Sequence, residues 1–238
     1  MQIILASASP RRRELMGLYG VPFTVRAADI DETMDPGKPP FDEVARVSRC
    51  KALAVSREPE DVVVAADTIV VCGNQVLGKP RDEEDAARML RLLSGSTHQV
   101  MTGCTAARGS RAETFTQVTQ LHFRPLSEKE IHRYIATGEP MDKAGAYGIQ
   151  GGAALFCDWL TGDYYNVMGL PVCRLLEALQ KVAPDVFLGK SSPVTSVHHP
   201  RPGHCDPVRF PGVAISLGEV RIPLYDGDSH ASVSTGSE

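Results

Sequence analysis

The stretch VVVAADTIVV, residues 62–71, constrains the fold more than any other part of the chain. It is continuously apolar apart from Asp67 and Thr68, rich in β-branched residues, and far short of the roughly 20 residues that span a bilayer. Such a run reads as a strand buried on both faces, which places it inside a sheet covered by helices. Gly73-Asn74 supplies a turn after it. Asp67 breaks the apolar run, and a carboxylate in the middle of a buried strand has to be paired, metal-bound or functional. A structurally satisfied aspartate is the plainer alternative.

Around this strand the pattern alternates between strands and helices. Gln2–Ala6 reads as a buried strand, Arg11–Tyr19 as a short helix ended by Gly20, and Phe23–Ala27 as a second strand leading into the acidic loop DIDETMD. Residues 41–57 have helical spacing, with Val44, Val47, Lys51 and Val55 on one face. A lysine on that face either snorkels to the surface or points into a cleft. Asp82 is placed to cap a helix running through Leu93, with Glu83 to Asp85 in its first turn. Residues 97–107 and 113–123 read as a long hairpin around Arg108-Gly109, and Ser127 caps a helix to about Thr137. The loop DKAGAYGIQGG follows. Ala153–Leu160 and Tyr164–Val167 suggest a second hairpin about Thr161-Gly162, and Pro171–Val182 reads as the closing helix, with proline at its start.

A net charge of −4 and a pI near 6.0 argue against a general nucleic-acid partner. Neither a spanning segment nor a secretory leader is expected, and six cysteines without a CxxC pair fit reduced thiols in the cytoplasm. Positive charge is therefore local. In SASPRRREL a strand stops at Ser7 and Ser9 and opens a helix, so hydroxyls and free N–H groups meet at a helix N-terminus, with Arg11 and Arg12 as bidentate donors. That arrangement suits a small anion. Three surface arginines on a solvated helix are the alternative.

Two further motifs mislead. GNQVLGKP, residues 73–80, matches the phosphate loop except at Pro80, which has no hydroxyl for magnesium; Lys79 remains a candidate phosphate-facing cation. DIDET, residues 29–33, resembles the D-x-D-x-T signature of haloacid-dehalogenase-like phosphatases, with Asp29 as nucleophile. Thr24 and Arg26 interrupt the strand before it, however, and no later acidic element stands ready to hold their magnesium.

Taken in order, SASPRRREL, DIDE, KA at 51–52, AADTIVV, LGKPRD, LSGSTHQVMTG, DKAGAYGIQG and YYNVMGLP resemble the Maf family of nucleoside triphosphate pyrophosphatases, from about residue 2 to residue 183. The resemblance implies an α/β fold related to the inosine triphosphate pyrophosphatases, with an extended mixed sheet flanked by helices around a nucleotide cleft. It implies hydrolysis of a nucleoside triphosphate to monophosphate and pyrophosphate with a divalent cation, Mg2+ or Mn2+, and it suggests a homodimer. ADT and IQG resemble the branch that prefers dTTP and UTP, with modified pyrimidine nucleotides as further candidates. The family positions that govern this choice match Arg11, Thr68 and Gln150, and the acid/base position matches Asp67. Ser7, Ser9, Arg12, Glu32, Lys51 and Lys79 match the remaining cleft positions. Asp67 would take a proton from water or orient the metal, and Glu32 would complete the metal site. A nucleotide-binding regulator of cell division with incidental hydrolysis is the competing reading.

The domain is expected to span residues 1–183, and 184–238 to be a dispensable Pro/His/Ser-rich extension, partly disordered. Within it, HHPRPGHC at 198–205 has the wrong spacing for a structural zinc site, and 213–217 with 220–225 reads as a small hairpin.

Overall fold

A computed structural model describes residues 1–55 and 57–187; the histidine-rich segment and the small hairpin expected in the extension lie outside them. In chain order the elements are β1 (Ile3–Leu5), α1 (Pro10–Gly17), β2 (Thr24–Val25), α2 (Pro40–Ala54), β3 (Val62–Cys72), β4 (Gln75–Leu77), α3 (Glu83–Leu93), β5 (Thr97–Arg108), β6 (Arg111–Phe123), α4 (Glu128–Ile135), β7 (Cys157–Thr161), α5 (Tyr164–Met168), α6 (Val172–Val182) and α7 (Pro184–Phe187). Single 3-10 turns at Glu139–Asp142, Ala144–Ala146 and Gly152–Leu155 lie between α4 and β7.

Among the described residues, seven strands form one mixed sheet in the order β2-β1-β3-β5-β6-β7, with β4 also paired to β3. β1 runs parallel to β2 and β3, and the other pairs are antiparallel. The α/β class expected from the sequence is what the chain adopts. β3 is central and, as its composition requires, buried on both faces. Val62, Val64, Ala66, Val70 and Cys72 face the main core built with α3, α4 and α6. Val63 and Ala65 meet Ile4, Ala52 and Val55 on the other side, and Ile69 meets Val44. The two-residue period of the strand thus feeds two cores at once.

One detail of register creates the notch that matters below. β3 pairs with β5 along Val62–Val71. On its other edge β1 pairs only with Val62–Val64, and β4 only with Val70–Cys72. The stretch Ala65–Ile69 therefore lacks a strand on that edge, and Asp67 sits at its middle. Opposite Asp67 in the β5 register stands Gly103. A Cβ there would overlap the Val44 carbonyl of α2, so glycine is what allows α2 to lie so close to the sheet.

Turn chemistry follows the sequence closely. Gly73 and Gly109 take φ of 56° in their hairpin turns, a left-handed conformation that glycine adopts without strain. Asp82 caps α3, and Ser127 with Glu130 forms a full capping box on α4. The second hairpin is a correction. Cys157–Thr161 is a strand on the β6 edge, but Tyr164–Met168 is helical. Asp163 accepts from the backbone N–H of Tyr165 and Asn166, capping that helix, and Gly169 ends it at φ 106°. The buried Asn166 side chain then donates to the Val100 carbonyl and to Thr119, so local capping and a tertiary anchor together override the strand propensity of the tyrosines. At the far end of the sheet, α7 sets Phe187 edge-on to Tyr19 at 6.2 Å, and Asp185 pairs with Arg108 at 2.5 Å.

Candidate active site

The unpaired stretch of β3 opens into a cavity of about 930 Å³. It is lined by Ser7, Ser9, Arg11 and Arg12 from the β1–α1 turn, Glu32 from the acidic loop, and Lys51 from α2. Asp67 and Thr68 of β3, Lys79 after β4, and Gln150 of the glycine loop complete it. Every site residue expected from the sequence therefore meets in one place. Asp29, the nucleophile of the dehalogenase-like reading, is exposed and does not line the cavity. Gly73-Asn74 is a β3–β4 hairpin tip, so the phosphate-loop reading also falls, although Lys79 does face the cavity.

Arg12 holds the notch together. Ser9 caps α1, accepting from the Arg12 backbone N–H, and this points the side chain at β3. Its Nε donates to the Gly169 carbonyl at 2.8 Å, one terminal nitrogen to Ser7 Oγ at 3.2 Å and the Ala66 carbonyl at 2.8 Å, and the other to Thr68 Oγ1 at 2.8 Å. The Ala66 carbonyl lies on the edge where β3 has no partner strand, and the guanidinium takes the place of one. Thr68 Oγ1 in turn meets Thr102 Oγ1 at 3.0 Å, which donates to the Asn166 carbonyl. Burial lowers the Arg12 pKa, with the nearby Asp67 charge acting the other way. Four of the five guanidinium N–H groups are committed to the protein, which leaves one for a ligand.

Asp67 is buried and its Oδ1 accepts from Lys51 Nζ at 2.7 Å; the same ammonium pairs with Glu32 at 2.8 Å. The lysine on the apolar face of α2 thus points into the cleft. Among the described residues Asp67 Oδ2 has no hydrogen-bond partner. The loop bearing Glu32 is anchored by Glu43, which accepts from the Asp35 backbone N–H, and by Arg46, which donates to Glu43 and to the Thr33 carbonyl. Arg46 holds the Glu43 carboxyl down to about 2.

No cluster of three or more His, Cys, Asp or Glu able to hold a metal occurs among the described residues. Two neighbouring carboxylates are nevertheless the donor set that Mg2+ characteristically takes from protein, with substrate phosphates and water completing its shell. Glu32 and Asp67 fit a cation that arrives with a triphosphate.

Across the cavity, Arg11 pairs with Asp142 at 3.6 Å and Lys143 with Asp142 at 2.6 Å. Gln150 is exposed at the tip of the turn Gly148–Gly151, closed by Gly151 N–H to the Gly148 carbonyl at 3.1 Å. Its amide has no protein partner among the described residues. Tyr147, beside this turn, is backed by His98, whose Nε2 lies 2.8 Å from the Tyr147 hydroxyl. Burial holds the His98 imidazole down to about 4. Sequence reasoning missed Glu43, Arg46, His98, Glu139 and Gly103. Of these only Gly103 left a local signal, a glycine inside an otherwise well-patterned strand.

The chain matches the family described as Maf-like protein over residues 2–182. It is 50% identical over 184 residues to the dTTP/UTP pyrophosphatase of Geobacter sulfurreducens, covering 76% of this chain and 96% of that one. It is 47% identical over 180 residues to the dTTP/UTP pyrophosphatase of Bacillus pumilus, covering 75% and 95%. Among solved structures, the Staphylococcus aureus Ham1 protein aligns at 13% identity over 52% of this chain and 72% of that one, with a TM-score of 0.34. With a family match that takes in every residue of the notch and near-complete coverage of relatives this similar, the chain belongs to the Maf family.

Proposed function

We propose that this protein hydrolyses nucleoside triphosphates, with dTTP and UTP preferred, to the monophosphate and pyrophosphate. The observation that carries the reading is Asp67, fixed on a central strand at an unpaired sheet edge, with Lys51 on one oxygen and the other open to a cavity of nucleotide size. Relatives about half identical to this chain carry that activity in their names.

In this reading Asp67 Oδ2 takes the proton of a water whose oxygen joins phosphorus as the α–β bridging bond breaks and the leaving oxygen departs. Lys51 holds Asp67 in its orientation through the 2.7 Å hydrogen bond to Oδ1. A Mg2+ or Mn2+ ion held by Glu32 and Asp67, when bound, would offset charge developing on the phosphoryl oxygens. Arg11 and Lys79 bind the triphosphate, joined by the last N–H of Arg12 and by the Ser7 and Ser9 end of α1. Gln150 donates to a pyrimidine carbonyl and accepts from N3–H; cytosine has no N3–H, and guanine offers its equivalent O6 and N1–H only on a larger purine ring. Sites built this way reject misfits because buried polar groups are left unpaired. A pure regulator needs nucleotide affinity but no oriented base, so the Lys51–Asp67 pair favours catalysis.

The described cysteines are all free thiols, and no described helix is long and apolar enough to cross a membrane; both support a place in the cytoplasm, where we expect a homodimer. A panel of dTTP, UTP, their modified pyrimidine analogues, dCTP, GTP and ATP, scored separately for pyrophosphate and orthophosphate, tests the activity. Pyrophosphate from dTTP and UTP is expected. Orthophosphate as first product, or GTP as best substrate, would overturn the reading.

A further inference from the structure

The turn that carries Gln150 is held from beneath by two residues outside it. Tyr134 Oη donates to Glu139 Oε1 at 3.0 Å and accepts from the Gly148 backbone N–H at 3.0 Å. Glu139 Oε2 accepts from the Gly152 backbone N–H at 3.0 Å. The two flanks of a single tight turn are thus tied to one Tyr–Glu pair. The glycines show how close the carboxylate comes. A Cβ on Gly151 would overlap it, one on Gly148 would lie 2.9 Å from Oε1, and one on Gly152 would lie 3.2 Å from the Tyr134 ring. Gly148 and Gly151 close the turn, yet none of the three glycines takes a positive φ, so turn geometry alone does not demand them. The Glu139 carboxylate accounts for Gly151, the carboxylate with the Lys143 stem for Gly148, and the Tyr134 ring for Gly152.

Tyr134 is buried and packs edge-on against Phe156 with centroids 5.1 Å apart, and burial raises its pKa. The hydroxyl therefore remains a donor to Glu139 at any ordinary pH. Glu139 is itself fixed by the α4 end of the chain: Thr137 Oγ1 accepts from its backbone N–H at 3.2 Å, and its carbonyl accepts from Lys143 Nζ at 2.5 Å. Lys143 also pairs with Asp142, the partner of Arg11.

We infer that Glu139, with Tyr134, is a specificity-determining positioning pair: it ties down both flanks of the turn at the cavity wall and sets the height and tilt of the Gln150 amide over the base. The inference rests on the pyrimidine-reading role given to Gln150. Loss of the pair frees the turn, so that Gln150 pairs no better with a uracil-type ring than with its competitors, while the phosphate end of the cavity is left as it was.

The test uses Glu139→Ala and Tyr134→Phe, the second of which removes only a hydroxyl and keeps the ring packing. The ratio of kcat/KM for dTTP over GTP is expected to fall about tenfold or more in both, as for loss of an oriented hydrogen-bonding group. Inhibition by tripolyphosphate, which has no base, is expected to stay within about twofold of the parent. Combined with Gln150→Ala, neither substitution should lower the ratio further, because the amide they position is gone. Calorimetric affinities for dTMP and GMP give the same ratio without turnover. A parent protein that binds dTMP selectively but does not hydrolyse dTTP would sink the proposed activity and leave this inference standing. An unchanged dTTP:GTP or dTMP:GMP ratio in both variants, or a parallel loss for all nucleotides and tripolyphosphate, would overturn it.

Discussion

The floor and the rim of the cavity are built in opposite ways. The floor is β3, paired to β5 along its length, and the polar groups on it are locked: Asp67 by Lys51, and the Ala66 carbonyl and Thr68 by Arg12. The rim, residues 139–152, is 3-10 turns and glycines, and its exposed tip is Gln150. On the proposed reading proton transfer tolerates little displacement, and Asp67 stands on a ladder of backbone hydrogen bonds. Reading a flat base requires backbone to come close beneath it, which glycine permits and a ladder does not. Division of labour between chemistry and recognition is written into the two kinds of backbone.

The largest expected effect strikes the floor. Asp67→Asn should fold with a near-parental melting temperature and lose at least about 100-fold in kcat, as for removal of a general base. A rate within a few-fold of the parent would take Asp67 out of the mechanism. Next comes Arg12→Lys. An ammonium on a thin stem cannot serve the four acceptors that the guanidinium reaches in the β1 turn, β3 and α5. Its buried carbonyls left unpaired should reduce stability by about 2 kcal/mol, and kcat/KM should fall for every nucleotide alike. A change in base preference instead would blur the separation between floor and rim.

The rim has an acid limit. Burial lowers the His98 pKa from 6.5 to about 4. The unfolded chain therefore takes up a proton that the folded imidazole refuses, so the contribution is complete above about pH 6.5 and is lost as pH falls toward 4, by up to about 3 kcal/mol. Melting temperatures followed through that window should fall more steeply for the parent than for His98→Gln, and equal slopes would dismiss His98 as the cause. The smallest effect is expected at the far end. We propose that a chain ending at Phe187 keeps its rate and its melting temperature. One ending at Ala183 gives up the Phe187–Tyr19 contact and the Asp185–Arg108 pair and should melt a few degrees lower.

Much of the floor could be read from sequence because it is periodic. The apolar run that Asp67 interrupts reads as a buried strand, and the spacing of Val44, Val47, Lys51 and Val55 puts Lys51 on the apolar face of its helix while leaving open whether its ammonium snorkels out or enters a cleft. The rim could not be read the same way. Glu139 accepts from the Gly152 N–H across a gap that no period describes, and Tyr164–Val167 reads as a strand because the Asp163 cap and the buried Asn166 anchor are decided by Thr119 and Val100, far away in the chain. Gly103 shows the intermediate case. Its place in a strand was legible, while its reason, the backbone of α2, was not.

The Arg12 bond to the Gly169 carbonyl joins residues 157 positions apart. Domains are synthesised from the N-terminus, and contacts of such long sequence separation are among the last to close. A ribosome that has delivered β3 has already supplied Arg11, Arg12, Glu32, Lys51 and Asp67, yet the acceptor that completes the Arg12 clamp arrives only with the residue after α5. The closed notch is thus a late product of translation. Between Asp67 and Gly169 a nascent chain carries nearly every charged group of the site without the tie that fixes them, and an abandoned fragment would display those groups without that tie.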